Sequence, residues 1–206
     1  MTLATLLYWT DLLAVAVFAI SGALAAAEQK LDVLAFILFG TITGVGGGTL
    51  RDLLLQAGPV FWIADTRYLW VCIGVSMATW YLAPLLRSRV SVLVWADAAG
   101  LALFSVLGTA KALGAQAPVI VAVVMGVMSA SFGSLIRDTL LNRSPVLLEP
   151  EIYVTAALLG AASYALLAGM PWLDDGAVLL LAMAGAFALR AAAIAPALLL
   201  AVRALS

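Results

Sequence analysis

Histidine is absent from the 206-residue sequence, and Cys72 is its only cysteine. These two absences exclude intrachain disulfides, thiolate–imidazole pairs and nearly every transition-metal centre, because zinc and haem sites draw on those side chains. Charge is scarce too: 10% of the residues are Asp, Glu, Lys or Arg, against about 25% in soluble domains. The net charge is −1, with no basic block or stripe, so the electrostatic footprint of nucleic-acid binding is missing. No basic stretch or small-residue cleavage site frames the apolar Leu3–Leu7, and the first segment is expected to stay as a helix rather than leave as a signal peptide. An enzyme would need a nucleophile–base set or a metal, and neither is visible. No cofactor is expected.

What the chain has in abundance is apolar surface: 66% hydrophobic residues and a mean hydropathy of +1.17. A membrane-crossing helix needs about 20 mostly apolar residues. Cutting at the polar clusters leaves seven candidates, roughly 6–27, 31–54, 66–86, 91–113, 117–141, 151–170 and 176–197. The expected fold is therefore an all-α polytopic membrane protein, one membrane domain over 1–206 with seven transmembrane helices. Seven spans put the termini on opposite sides. Lys30, Arg87, Arg89, Arg143, Arg190 and Arg203 fall on one side, with Arg67 and Lys111 beside Asp65, Asp174 and Asp175 on the other. The lysine and arginine bias of short loops then puts the N-terminus outside and the C-terminus in the cytoplasm. Tryptophans 9, 62, 70, 80, 95 and 172 fall mostly near span ends, as an aromatic belt would.

The sequence repeats itself. At an offset of 86, without a gap, Asp11 meets Asp97, Phe18 meets Phe104, Gly22 meets Gly108 and Gly40 meets Gly126. The same offset matches Gly47 with Gly133, Arg51–Asp52 with Arg137–Asp138, Pro59–Val60 with Pro145–Val146 and Gly74 with Gly160. Repeat one covers 11–84 and repeat two 97–170, three spans each. An odd number of spans sends the second copy into the membrane from the opposite side, giving two inverted repeats whose shared interface near the midplane is the expected functional site. The seventh helix, 176–203, lies outside the repeat and is expected to cover a lipid or subunit face.

Within each repeat one segment mixes glycine and charge: GTITGVGGGTLRDLLLQ (40–56) and its twin GVMSASFGSLIRDTLLN (126–142). Gly40, Gly44 and Gly48 form overlapping GxxxG steps, and by themselves these favour close helix packing. Gly46, Gly47 and Gly48 in succession, with Thr43 and Thr49, exceed what packing needs, and Ser129, Ser131, Gly133 and Ser134 repeat the combination. The expectation is that both spans kink or unwind there and offer hydroxyls and freed carbonyls to a dehydrated cation. Phe132 stands where the first copy has glycine and is a candidate hydrophobic constriction.

Charges at membrane depth face a bundle interior and need partners. Arg51 and Asp52 are adjacent and are expected to point to different sides of their helix. The inverted topology instead brings Asp11 to Arg51 and Asp97 to Arg137, so ion pairs are expected there, with Asp52 and Asp138 beside them. Interfacial anchoring by snorkelling arginines is the plainer alternative. Lys111 ends the fourth span on the side of Arg51. It suits an electrostatic gate at a pore mouth, or simply a helix C-terminus reaching water. The charges alone leave the sign of any transported ion open.

The doubled G-x-x-x-G-x-G-G-G-x-x-R-D-x-L-L motif (40–55, with its copy at 126–141), on seven spans, resembles the bacterial members of the trimeric intracellular cation channel (TRIC) family, a group also known by a glycine-transporter-like domain. The resemblance implies a homotrimer in a bacterial plasma membrane, one pore per protomer lined by spans two and five. It implies conduction of potassium and other monovalent cations, with Lys111 as the gating lysine and no metal beyond potassium in transit. The alternative kept beside it is a secondary transporter of a small zwitterion such as glycine, since half-helix N-termini suit a carboxylate.

Overall fold

The computed structural model describes residues 3–56, 58–86, 88–144 and 152–204, with side chains to residue 195. Arg87, residues 145–151 and the side chain of Arg203, on which parts of the loop-charge, repeat and span expectations rest, lie outside the described residues. Among the described residues eight α-helices follow one another: α1 (Leu3–Glu28), α2 (Val33–Leu55), α3 (Phe61–Ala64), α4 (Arg67–Leu82), α5 (Arg89–Gly114), α6 (Val119–Leu140), α7 (Val154–Leu167) and α8 (Asp175–Ala204). A 3-10 turn, Ala83–Leu85, extends α4. Six helices are long and apolar enough to cross a bilayer, and α7, with 14 residues, is shorter. The four-residue α3 had no counterpart in the expected spans.

Helix limits follow from local chemistry. Asp32 caps α2 by accepting from the Ala35 amide at 2.9 Å, and Ser88 caps α5 through the Ser91 amide at 3.2 Å, each satisfying one of the free amides of a first turn. Lys30, Gln56, Gln116 and Asn142 take left-handed backbone at the ends of α1, α2, α5 and α6. Amides just beyond three of these residues fold back onto the helix, Leu31 to Ala26, Ala117 to Ala112 and Arg143 to Asp138, as in Schellman closures. Lys30 and Gln116, and likewise Gln56 and Asn142, are equivalent positions at the offset of 86. The two copies thus end their helices in the same way.

The centre is built from α1, α2, α5 and α6. Helix α1 packs on α2 and α5 on α6, while α1–α5 and α2–α6 contacts join the halves; α4, α7 and α8 flank this core. Phe18 of α1 stacks on its equivalent Phe104 of α5 at 5.2 Å and 24°. The α2–α6 contact is reciprocal in the same sense. A Cβ at Gly47 would overlap the Ser129 carbonyl, and a Cβ at Gly133 would overlap the Thr43 carbonyl; Thr43 and Ser129 are themselves equivalent. Backbones come this close only where one of them has no side chain.

Gly47→Ala is expected to destabilise the folded protein by about 1–3 kcal/mol, the range for overpacking a tight contact. Gly74→Ala, where a Cβ meets nothing within 4 Å, is expected to leave thermal unfolding in detergent unchanged or raise its midpoint, since alanine is the better helix former.

Candidate functional site

The glycine-rich segments do not unwind. Helix α2 is continuous through Gly44, Gly46, Gly47 and Gly48, and α6 is continuous through Gly133. The expected source of freed carbonyls is therefore corrected. The hydroxyls fold back onto their own helices, Thr43 to Phe39 O at 2.7 Å, Thr49 to Val45 O at 2.7 Å, Ser131 to Val127 O at 2.6 Å and Ser134 to Ser131 O at 3.0 Å. The reason is that packing removes the hydrocarbon around these segments and the preceding turn's carbonyl offers each hydroxyl a local partner, so the glycines serve close approach between helices. Gly46 faces Gly133 and Ile136, while Gly44 lies against Cys72 of α4 and Val15 of α1. Ser129 is the exception among the hydroxyls: its Oγ is buried without a hydrogen-bond partner, beside Gly108. Phe132 is half-buried.

At one end of the core Asp11 is 1% exposed, and its Oδ2 accepts from Lys111 Nζ at 2.6 Å and from the Tyr68 hydroxyl at 2.8 Å. The expected Asp11–Arg51 pair is not formed. Arg51 donates instead to its neighbour, Nε and Nη2 reaching Asp52 Oδ1 at 2.8 and 2.6 Å. The guanidinium arm is long enough to curl back across its own helix, so adjacency does not separate the two groups, and Lys111 takes Oδ2 of Asp11 in the place expected of Arg51. The other carboxylate oxygen of Asp52, Oδ2, accepts from the Phe61 amide at 2.9 Å and so holds α3 over the end of α2.

Phe61 sits among these groups. Its ring lies 5.1 Å from Lys111 Nζ, 5.8 Å from Arg51 Cζ and edge-on to Tyr68 at 4.7 Å, and it packs on Gly48. Trp62 donates to Thr49 Oγ1 at 2.8 Å. Neither aromatic was singled out beyond the belt, nor was Tyr68; the one available signal was the Pro–Val–Phe–Trp run between two charged segments. Farther out, Arg67 donates to both carboxylate oxygens of Asp65 and holds that carboxyl below its ordinary pKa.

The opposite end is more deeply buried. Arg137, 0% exposed, donates from Nη1 to Asp97 Oδ1 at 2.9 Å, from Nε to Asp138 Oδ1 at 2.7 Å and to the Ser21 hydroxyl of α1. The Asp97–Arg137 pair thus forms as the repeat implied, with Asp138 on the same guanidinium. Ser134 and Tyr153 share a hydrogen bond of 2.8 Å, and Arg190 of α8 lies over the Tyr153 ring at 5.2 Å. Arg190 is 2% exposed, so it is part of the bundle and not a loop charge. Each end therefore holds two carboxylates and at least two cations, close to charge balance.

A buried, internally compensated charge cluster at each end of an apolar helix bundle defines a polytopic helical membrane protein. The family model described as "Glycine transporter" matches the chain twice, over residues 8–84 and 94–169. The inner membrane protein YadS of Escherichia coli K12 is 42% identical over 161 residues, 78% of each chain, and a Vibrio cholerae membrane protein of the UPF0126 group is 40% identical over 180 residues, 85% of this chain and 74% of that one. Among solved structures, the TRIC trimeric intracellular cation channel orthologue from Rhodobacter sphaeroides superposes with a TM-score of 0.87 at 43% identity, covering 91% of this chain and 96% of that one. A prokaryotic TRIC channel crystallised in 0.5 M KCl gives 0.89 at 29% identity, covering 95% and 99%. The chain belongs to this family and is a bacterial TRIC family member. Its family and fold are those of membrane channels and not of enzymes.

Arg137→Gln is expected to cost about 3–5 kcal/mol, since it leaves Asp97 buried without its guanidinium; loss of the folded species on size-exclusion chromatography or a sharply lower unfolding midpoint reads this out. Arg67→Gln, at an exposed pair, is expected to leave both unchanged.

Proposed function

We propose that this chain is a potassium-permeable monovalent cation channel, a homotrimer in a bacterial plasma membrane with a pathway between α2 and α6 in each protomer. The observation that carries the reading is a hydroxyl-bearing contact between two equivalent helices, with a balanced charge cluster at either end, in a chain whose solved relatives are cation channels. In this conformation α2 and α6 touch at Gly47 and Gly133, which leaves no room for an ion. This is the closed form, and conduction requires the two helices to part. Thr43, Thr49 and Ser134 would then exchange local bonds, and Ser129 offer its unpartnered hydroxyl, for contacts with a partly dehydrated cation.

The chain is read as seven spans, α7 included, in two inverted repeats with α8 outside them. Supporting this are the double family match, the Phe18–Phe104 stack, the reciprocal Gly47–Ser129 and Gly133–Thr43 contacts and the equivalent helix ends. Setting buried Arg190 aside, the remaining loop cations still favour an outer N-terminus and a cytoplasmic C-terminus. Asp11 and Lys111 then face the outside, with Phe61 as the ring that holds Lys111 and Arg51 in the closed arrangement. Moving the Lys111 charge through the field is worth about 2.3 kcal/mol per 100 mV, enough to bias the Lys111–Asp11 contact.

The family description favours a second reading, a carrier of glycine. Single-channel recording in planar bilayers under a potassium chloride gradient separates the two. Discrete steps reversing near the potassium potential are expected; a silent bilayer with saturable glycine uptake into liposomes would establish the carrier. In the same recordings Lys111→Ala is expected to weaken the voltage dependence of opening. Phe61→Ala, which removes two cation–ring contacts worth about 0.5–1 kcal/mol each, is expected to raise the open-to-closed ratio about five- to thirtyfold with unitary conductance unchanged. An unchanged ratio would remove Phe61 from the gate.

A further inference from the structure

At the end of the bundle opposite Lys111, a cavity of about 400 Å³ opens where α1 ends, α2 begins, the 3-10 turn closes α4 and α5 starts. Its walls are apolar, among them Leu31, Phe36, Trp80 and Pro84, and Lys30 and Arg89 stand in its lining. Phe36 and Trp80 meet edge to face at 4.8 Å, which makes that wall a fixed surface. Lys30 is exposed on left-handed backbone at the end of α1. Arg89 donates from Nε to the Ala83 carbonyl at 3.0 Å, which anchors its guanidinium in the lining of the cavity. Among the described residues, neither cation is within ion-pair distance of an acid. Arg89 is also the first residue of the 26-residue α5, where the helix dipole adds positive potential.

Apolar walls beside two acid-free cations, at the ends of membrane-crossing helices, fit an amphiphile with an anionic head. A water-soluble anion has no use for the Phe36–Trp80 wall, and a lipid without net charge has no use for both cations. We propose that this cavity binds an anionic glycerophospholipid, its phosphate between Lys30 and Arg89 and the start of an acyl chain against Phe36 and Trp80. The inference does not rest on the channel reading, because lipid retention is measured directly.

The test is native mass spectrometry of the purified full-length protein from mixed micelles holding equal phosphatidylglycerol and phosphatidylcholine. Preferential retention of phosphatidylglycerol is expected, falling about fivefold for each cation removed in Lys30→Gln and Arg89→Gln. Arg67→Gln, at the other end, keeps the preference. Should Arg89→Gln misfold through loss of its bond to Ala83, Lys30→Gln, on an exposed turn, decides the matter alone. Equal retention of the two lipids overturns the proposal, as does a preference that survives Lys30→Gln. Full displacement of the lipid by equimolar glycerol 3-phosphate would mean a water-soluble anion site and overturn it as well. A change in oligomer mass in Lys30→Gln with lipid retention intact would make the cavity a subunit contact, again overturning it.

Discussion

Hydrocarbon supplies no hydrogen-bond partner and no counter-charge, so every polar group the chain carries into the bundle must be satisfied by the bundle itself. That constraint organises the structure. Asp11, Arg51, Asp97, Arg137 and Asp138 are each at most 3% exposed, and each is held by a group of opposite charge or by a hydroxyl. Thr43 and Thr49 of α2 and Ser131 and Ser134 of α6 turn to carbonyls of their own helices. Glycine lets the helices approach to backbone contact at Gly47 and Gly133. Packing and polarity are solved by the same residues, which is why the motif carries glycine, hydroxyls and charge within so short a stretch.

The same arrangement shows how such a bundle can be stable and still open. In the gating proposed above, the hydroxyls bonded to carbonyls of their own helices and Lys111 bonded to Asp11 are the groups that would change partners. The α2–α6 contact is closest where backbone meets backbone, at Gly47 and Gly133, with the Ile136 side chain beside Gly46. Its separation exposes hydroxyls already at hand and breaks no helix. Phe61 adds an aromatic tie between the two cations at one end, and Tyr153, beneath Arg190, supplies a cation–ring contact at the other.

Much of this was legible in the sequence. The offset of 86 led to the expectation of an Asp97–Arg137 pair, and that pair is formed. The same offset failed at Asp11 because the halves are not identical: the position equivalent to Lys111 in the first repeat is Ala25, which offers Asp97 no charge. Lys111 takes Asp11 and Arg51 bonds Asp52, as Arg137 bonds Asp138. The asymmetry was in plain view but its consequence depends on three helices meeting. The glycine run was ambiguous for a different reason. Unwinding and close packing demand the same residue, and only the position of the Ser129 and Thr43 carbonyls decides between them. Helix α3 was hidden because four residues carry no period, and what holds it is a carboxylate nine positions earlier.

The central claim is that ions pass between α2 and α6, so that these helices must part for conduction. A Cβ at Gly46 would stand 3.4 Å from Ile136 Cδ1, so a short bis-methanethiosulfonate can span thiols placed at the two positions. In a Cys72→Ser background, Gly46→Cys with Ile136→Cys should conduct before treatment, fall silent once cross-linked, and recover on addition of dithiothreitol. Currents that persist undiminished while the cross-link is verified on the same sample would place the pathway elsewhere and contradict the account.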